Sequence, residues 1–215
     1  MSTGFRPNSE DNSERAMGSA IRGVLFDLDG VVVAQSLDFV AIKQEIFGSA
    51  EGFILERIQG LSGQERARAE AILERHETDA ANRCQPLDGI VPLLRRLDSH
   101  GLRLGLVTRN SRKSVDLIQA RFHFPFSTIV SREDAPPKPA PDPILLACRR
   151  LALAPDEALF VGDFEFDMLA GRRAGVRTVL LCNPVQPLSP NADHLIASLA
   201  ELPRLLGLLD RTKPA

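Results

Sequence analysis

The stretch VLFDLDGVVV, Val24 to Val33, places two carboxylates, Asp27 and Asp29, inside an otherwise unbroken apolar run. Val24, Leu25 and Phe26 are β-branched or bulky with no polar alternation, the texture of a parallel strand covered on both faces. Residues two apart in a strand share a face, so Asp27 and Asp29 turn toward one spot as the strand ends. Gly30 then lets the chain turn sharply beyond them. In open α/β sheets the ligand crevice lies outside the carboxyl ends of the strands, where paired acids suit chemistry better than packing. A plain Asp-Gly turn is the competing reading.

Outward from this run, the residues from Leu37 to Gln85 read helical throughout. In LDFVAIKQEIFG the apolar Phe39, Ile42 and Ile46 recur at helical spacing, and a second apolar patch, Phe53 to Leu55 with Ile58, precedes Gly60. Ser62-Gly-Gln-Glu65 is a capping-box pattern opening a long charged helix to about Arg83. From Pro86 the texture alternates. Helices are expected over Gly89 to Ser99, Ser111 to Arg121, Pro143 to Leu151 and Met168 to Ala174. Strands are expected at LRLGLVT, STIVS, ALFVGD and RTVLL, which completes the pattern. Alternation of this length specifies right-handed βαβ units and a parallel sheet. The fold class is therefore α/β: a Rossmann-like parallel sheet core, residues 21–34 and 86–215, with a small α-helical cap, residues 35–85, inserted after the first strand. Residues 1–20 read as a disordered tail, with Met17 just before the first strand.

Composition narrows the function classes. A chain of 215 residues with 44% hydrophobic residues can bury a real core. Net charge is −2 and the pI about 6.1, with no run of Lys and Arg interleaved with aromatics, so no nucleic-acid partner is expected. No apolar segment approaches a membrane span or a signal h-region, so no membrane partner is expected either. Cys84, Cys148 and Cys182 lie far apart without a C-x-x-C pair, which suits a reducing cytoplasm and buried thiols. His76, His100, His123 and His194 show no metal spacing. The charge run from Glu65 to Glu77 reads as the wet face of a cap helix.

Three further strand ends complement the two acids. Thr108 closes LRLGLVT and is followed by Arg109, Asn110 and a helix start, so a hydroxyl and backbone N–H groups face an anion together. Lys138, in the loop REDAPPKPAPD, brings a point positive charge to the same crevice. ALFVGD ends in Asp163, with Asp167 four residues on. Asp27, Asp29 and Asp163 supply hard oxygen ligands of the kind Mg²⁺ takes. Blander readings stand beside these. Thr108 or Asn110 can cap the next helix, Lys138 can be a solvated loop lysine, and Asp167 can complement the helix dipole. Thr108, Arg109, Asn110 and Lys138 are the candidate phosphate-binding residues; Arg109 and Arg132 can reach substrate, with surface ion pairing as the blander reading, and Glu165 reads as an exposed helix-start acid.

Taken together, DLDGV at Asp27 to Val31, Thr108 at its strand end, Lys138 before PAPD, and GDFEFD with Asp163 and Asp167 resemble the haloacid dehalogenase superfamily, in the branch whose cap lies between the first and second motifs. The resemblance spans about Ile21 to Leu199 and implies a phosphatase acting on a small phosphate ester. By that resemblance Asp27 is the nucleophile and Asp29 the general acid/base. Asp27, the backbone carbonyl of Asp29 and Asp163 hold Mg²⁺, with Asp167 supporting the shell, and Thr108 and Lys138 grip the phosphoryl group. Members that cleave carbon–halogen bonds need no metal and typically lack an acid where Asp29 stands. A β-phosphoglucomutase-like sugar-phosphate mutase is the near alternative, and a non-catalytic binding module the distant one; either oligomeric state, monomer or homodimer, is compatible. Two features depart from the pattern. Phe164 and Phe166 flank Glu165 where relatives carry a small polar residue, and one ring is expected to line the crevice and help exclude water. The insert of about fifty residues is short for this branch, so a larger substrate or looser selection is expected.

Overall fold

The computed structural model describes residues 21–183 and 187–208; the expected tail at residues 1–20 lies outside them. In chain order the elements are β1 (Gly23–Phe26), α1 (Phe39–Phe47), α2 (Ile54–Gln59), α3 (Gly63–Arg83), α4 (Ile90–Ser99), β2 (Arg103–Val107), α5 (Arg112–Phe122), β3 (Thr128–Val130), α6 (Asp142–Arg150), β4 (Ala158–Gly162), α7 (Glu165–Ala174), β5 (Arg177–Leu181), β6 (His194–Ile196) and α8 (Leu202–Leu205). All strand pairings are parallel, in the order β3-β2-β1-β4-β5-β6.

The two faces of the sheet explain the unbroken apolar strands. Val24 and Phe26 of β1, Leu104 and Leu106 of β2, and Leu159 and Val161 of β4 pack with α4 and α5 on one side. Leu25, Val107, Ala158 and Phe160 pack with α6 and α7 on the other. β1, β2 and β4 are thus buried on both sides, and alternation has nothing polar to display. Strand order reverses at β1, since β2 and β3 lie to one side and β4, β5 and β6 to the other. A crevice opens at that switch point. Register aligns the strand ends there: Phe26 sits opposite Leu106 and Val161, so Asp27, Thr108 and Asp163 emerge at nearly the same level.

The helical insert after β1 has its own apolar cluster, including Leu37, Ile42, Ile54, Ile58, Ala69 and Leu73. Its entry and exit are tied together by the backbone, Ala34 N–H to Gln85 at 2.9 Å and Leu87 N–H to Val32 at 2.9 Å. Helix α1 starts on Asp38, whose side chain accepts from the Ala41 N–H at 2.9 Å, and stops at left-handed Gly48. The expected capping box on α3 is not made. The chain enters that helix through Gly63 at φ +53°, and the Ser62 side chain makes no capping hydrogen bond to the first turn. Strand β6 was not legible from sequence; three residues with Leu195 exposed carry no period to read. Among the described residues no helix is long and apolar enough to cross a membrane.

Asp134 anchors the loop after β3. Its carboxylate accepts from the Ser131 N–H and hydroxyl at 2.8 Å each, from Arg150 at 3.0 Å, and from Arg112. Burial alone raises this carboxyl, but the Ser131 N–H and the cations outweigh it and hold it well below the usual carboxylate range. A group whose folded pKa is depressed stabilises above its unfolded value and loses that contribution as it is protonated. Asp134→Asn is expected to lower unfolding stability by about 1–2 kcal/mol at pH 7, with the gap to wild type closing as pH falls below about 4. Superimposable denaturant curves at pH 7 would contradict this.

Candidate active site

Asp27 is the first residue past β1, and its N–H still continues the ladder to Val161 at 2.9 Å. Leu28 to Val33 then form a tight turn in which Gly30 adopts φ +79°. A Cβ at Gly30 would lie 2.2 Å from an oxygen of Asp163, so both its conformation and its neighbour demand glycine. Gly162, the last residue of β4, is required by close approach alone: a Cβ there would stand 2.3 Å from that of Asp167. Asp167 hooks back to accept the Phe164 N–H at 3.1 Å, capping α7. Asp27, Asp163 and Asp167 each offer a carboxylate oxygen within 4.8 Å of the others.

Lys138 enters this cluster from the loop after β3. Its ammonium lies 2.6 Å from Asp27 and 2.6 Å from Asp167, and donates to the Val107 carbonyl at 3.1 Å; the side chain is only 2% exposed. Burial disfavours the ammonium, yet Asp167 and Asp27 outweigh it and raise the Lys138 pKa. One cation among three carboxylates leaves a surplus of negative charge. Burial first, then Asp167, pushes Asp163 up to about 7. Burial also holds Asp27 well above the usual range, against the pull of Lys138. Closely placed, charge-starved hard oxygens are what a divalent cation relieves, so the donor set fits a metal.

Asp29 stands outside the three-carboxylate group. Its Oδ2 accepts from the Asn110 amide at 2.7 Å, and burial pushes it up to about 6 against that bond. Thr108 is buried at the end of β2, where its hydroxyl accepts the Asn110 N–H at 3.1 Å. Ser111, not Thr108 or Asn110, caps α5, accepting from the Ser114 N–H. Arg109 reaches the insert: it pairs with Glu56 of α2 at 2.8 Å, donates to the Lys138 carbonyl, and lies 5.0 Å over the Phe166 ring. The amide of Asn110 and the guanidinium of Arg109 are thus engaged by protein partners. Glu165 accepts from Asn191 at 2.6 Å.

Between core and insert lies a cavity of about 290 Å³ lined by Asp27, Asp29, Asp163 and Asp167 with Lys138, Thr108, Phe164 and Phe166. Both rings, not one, line it. Glu77 was missed: it is 3% exposed, pairs with Arg132 of the loop after β3, and accepts the Ser111 N–H at 3.2 Å. The signal was present, because Ala69, Leu73, Glu77 and Ala81 fall every four residues along α3, putting the acid on the buried stripe and not on the wet face.

The profile of haloacid dehalogenase-like hydrolases matches residues 24–181, a span that contains every one of these strand ends. The chain belongs to the haloacid dehalogenase superfamily. A haloacid dehalogenase-like hydrolase domain-containing protein of Arabidopsis thaliana is 35% identical over 75% of this chain and 71% of its own. An N-acetylmuramic acid 6-phosphate phosphatase of Pseudomonas aeruginosa is 30% identical over 89% of this chain and 96% of its own. Among solved structures, a superfamily hydrolase of subfamily IA from Geobacter sulfurreducens superposes with TM-score 0.63 at 26% identity, covering 88% of this chain and 98% of that one. The superfamily assignment makes this chain a phosphoric monoester hydrolase with a helical insert after its first strand.

The facing carboxylates give a direct check on the metal site. In excess EDTA, Asp163→Asn is expected to melt above wild type, because it removes one of three mutually repelling charges. Each kcal/mol relieved moves Tm by about 2–4 °C. In excess Mg²⁺ the order should reverse, wild type gaining the binding free energy and the variant not. The same order in both buffers would contradict a metal site here.

Proposed function

We propose that the protein is an Mg²⁺-dependent phosphatase that hydrolyses a small phosphate ester through a phosphoryl group carried on Asp27. One observation carries the reading: the Asp27 carboxylate sits where Lys138, the Asp163–Asp167 pair and the Asp29 side chain converge on one cavity. The phosphatase named above, similar over nearly its whole length, supports the reaction class.

Asp27 attacks phosphorus as the bond from phosphorus to the leaving oxygen breaks, and Asp29, aimed by Asn110, delivers its proton to that oxygen. In the second half, Asp29 takes a proton from the water that attacks phosphorus, and the bond to Asp27 breaks. Lys138 holds Asp27 in line and, with the Thr108 hydroxyl and the N–H groups at the start of α5, faces the phosphoryl oxygens. Asp27, Asp163 and the main-chain carbonyl of Asp29 would hold the metal, with Asp167 behind them. When bound, Mg²⁺ supplies the positive charge that offsets repulsion between carboxylate and phosphoryl oxygens. The insert and the Phe164 and Phe166 rings shut water out of the first half-reaction. Three free thiols fit a reducing cytoplasm.

Phosphate release from an aryl phosphate and a panel of metabolite phosphates tests the proposal. Release is expected with Mg²⁺, not with excess EDTA, and is expected to vanish in Asp27→Asn. Asp29→Asn should lower kcat by about 10²–10⁴, and Lys138→Met by about 10²–10³. Undiminished release by Asp27→Asn would overturn the reading. An isomerised sugar phosphate in place of free phosphate would point to a mutase.

A further inference from the structure

The side of the cavity that faces the leaving group is built unlike its phosphate side. Phe53, in the loop before α2, meets Phe166 with ring centroids 4.5 Å apart and Phe164 at 6.4 Å, while the two core rings meet each other at 5.2 Å. Insert and core thus close on each other through three phenylalanines. Leu37, Phe39, Leu55 and Leu73 extend the apolar wall across the insert. Phe53 and Phe39 remain 48% and 46% exposed, so this wall is not filled by the protein itself.

One charge without an ion-pair partner interrupts it. Lys43 of α1 lines the cavity, half-buried, and has no ion-pair partner among the described residues. The other two cations on the cavity wall are both satisfied, Lys138 by Asp27 and Asp167 and Arg109 by Glu56. A half-buried ammonium beside apolar rings is poorly hydrated, and an anion brought to it gains more than at an open surface.

We propose that this site selects phosphate esters whose leaving group is a flat apolar body bearing an anionic group: the phenylalanines seat the body, and Lys43 pairs with the anion. The inference rests on the phosphatase reading of the same cavity. A sugar leaving group is disfavoured, since its hydroxyls would leave water for a wall of Phe and Leu where Gln35 and Lys43 offer polar atoms and the polar groups of Glu77 and Arg109 are already paired within the protein.

The test compares 4-carboxybenzyl phosphate, benzyl phosphate, sn-glycerol 3-phosphate and phosphoglycolate, whose primary alkyl leaving oxygens keep intrinsic reactivity comparable. Assays use the full chain with Mg²⁺. Wild-type kcat/KM is expected to fall about tenfold or more from carboxybenzyl to benzyl phosphate, and again to glycerol phosphate. Lys43→Gln should erase the first ratio and Lys43→Arg should keep it; Phe53→Ser should erase the second. Thermal melts confirm that each variant is folded. Preference for glycerol phosphate or phosphoglycolate, a first ratio unmoved by Lys43→Gln, or a second ratio unmoved by Phe53→Ser would overturn the inference while leaving the phosphatase reading intact. No phosphate from any ester, 4-nitrophenyl phosphate included, would defeat both.

Discussion

The Lys138 ammonium, buried between Asp27 and Asp167, is the interaction on which the rest of this molecule depends. An uncompensated buried cation costs far more than a domain can spare, and so does a set of uncompensated buried carboxylates. Each holds the other in place. The pairing also joins three separate stretches of chain: the end of β1, the loop after β3 and the first turn of α7. Because the three acids outnumber their cation, the site keeps an unmet demand for positive charge; burial, and after it the neighbouring Asp167, drives Asp163 up to about 7. Structure and chemistry meet in that imbalance, since a site fully neutralised by its own protein would have no use for a metal.

The sheet supplies the rigidity such an arrangement needs. Asp27, Thr108 and Asp163 leave neighbouring strands whose register is set by hydrogen bonds, so their separation is fixed by the backbone before any side chain is considered. Two glycines then make room, Gly30 beneath Asp163 and Gly162 beneath Asp167. The insert is held over this edge by a seam of one polarity. Glu56, Glu74 and Glu77 of the insert pair with Arg109, Lys113 and Arg132 of the core, the last through a buried carboxylate. Attraction between an acidic underside and a basic rim brings Phe53 against Phe164 and Phe166, and so shapes the wall that the leaving group meets.

Much of this was legible in the sequence because it rests on patterns that local chemistry enforces. Uninterrupted apolar strands ending in acids marked the buried parallel sheet and its carboxyl edge, and helical spacing from Leu37 onward marked the insert after the first strand. What was not legible depends on tertiary context. His194 to Ile196 form a strand only because β5 is beside them. The Ser62 cap failed because the neighbouring glycine took a left-handed turn. Glu77 lay in a run of charges whose neighbours are solvated, and only its four-residue spacing from Leu73 and Ala81 set it apart. That Asn110 and Arg109 would turn to Asp29 and Glu56 required knowing what stood opposite each of them.

The central claim is that Asp27 carries the phosphoryl group. The most direct measurement is rapid acid quench of the enzyme with substrate and Mg²⁺, followed by peptide mass spectrometry, in wild type and in Asp29→Asn. The account predicts a phosphoryl increment on the peptide bearing Asp27 that persists longer in the variant, whose second half-reaction lacks its base. Turnover with no adduct on Asp27, or with the adduct on another residue, would contradict it.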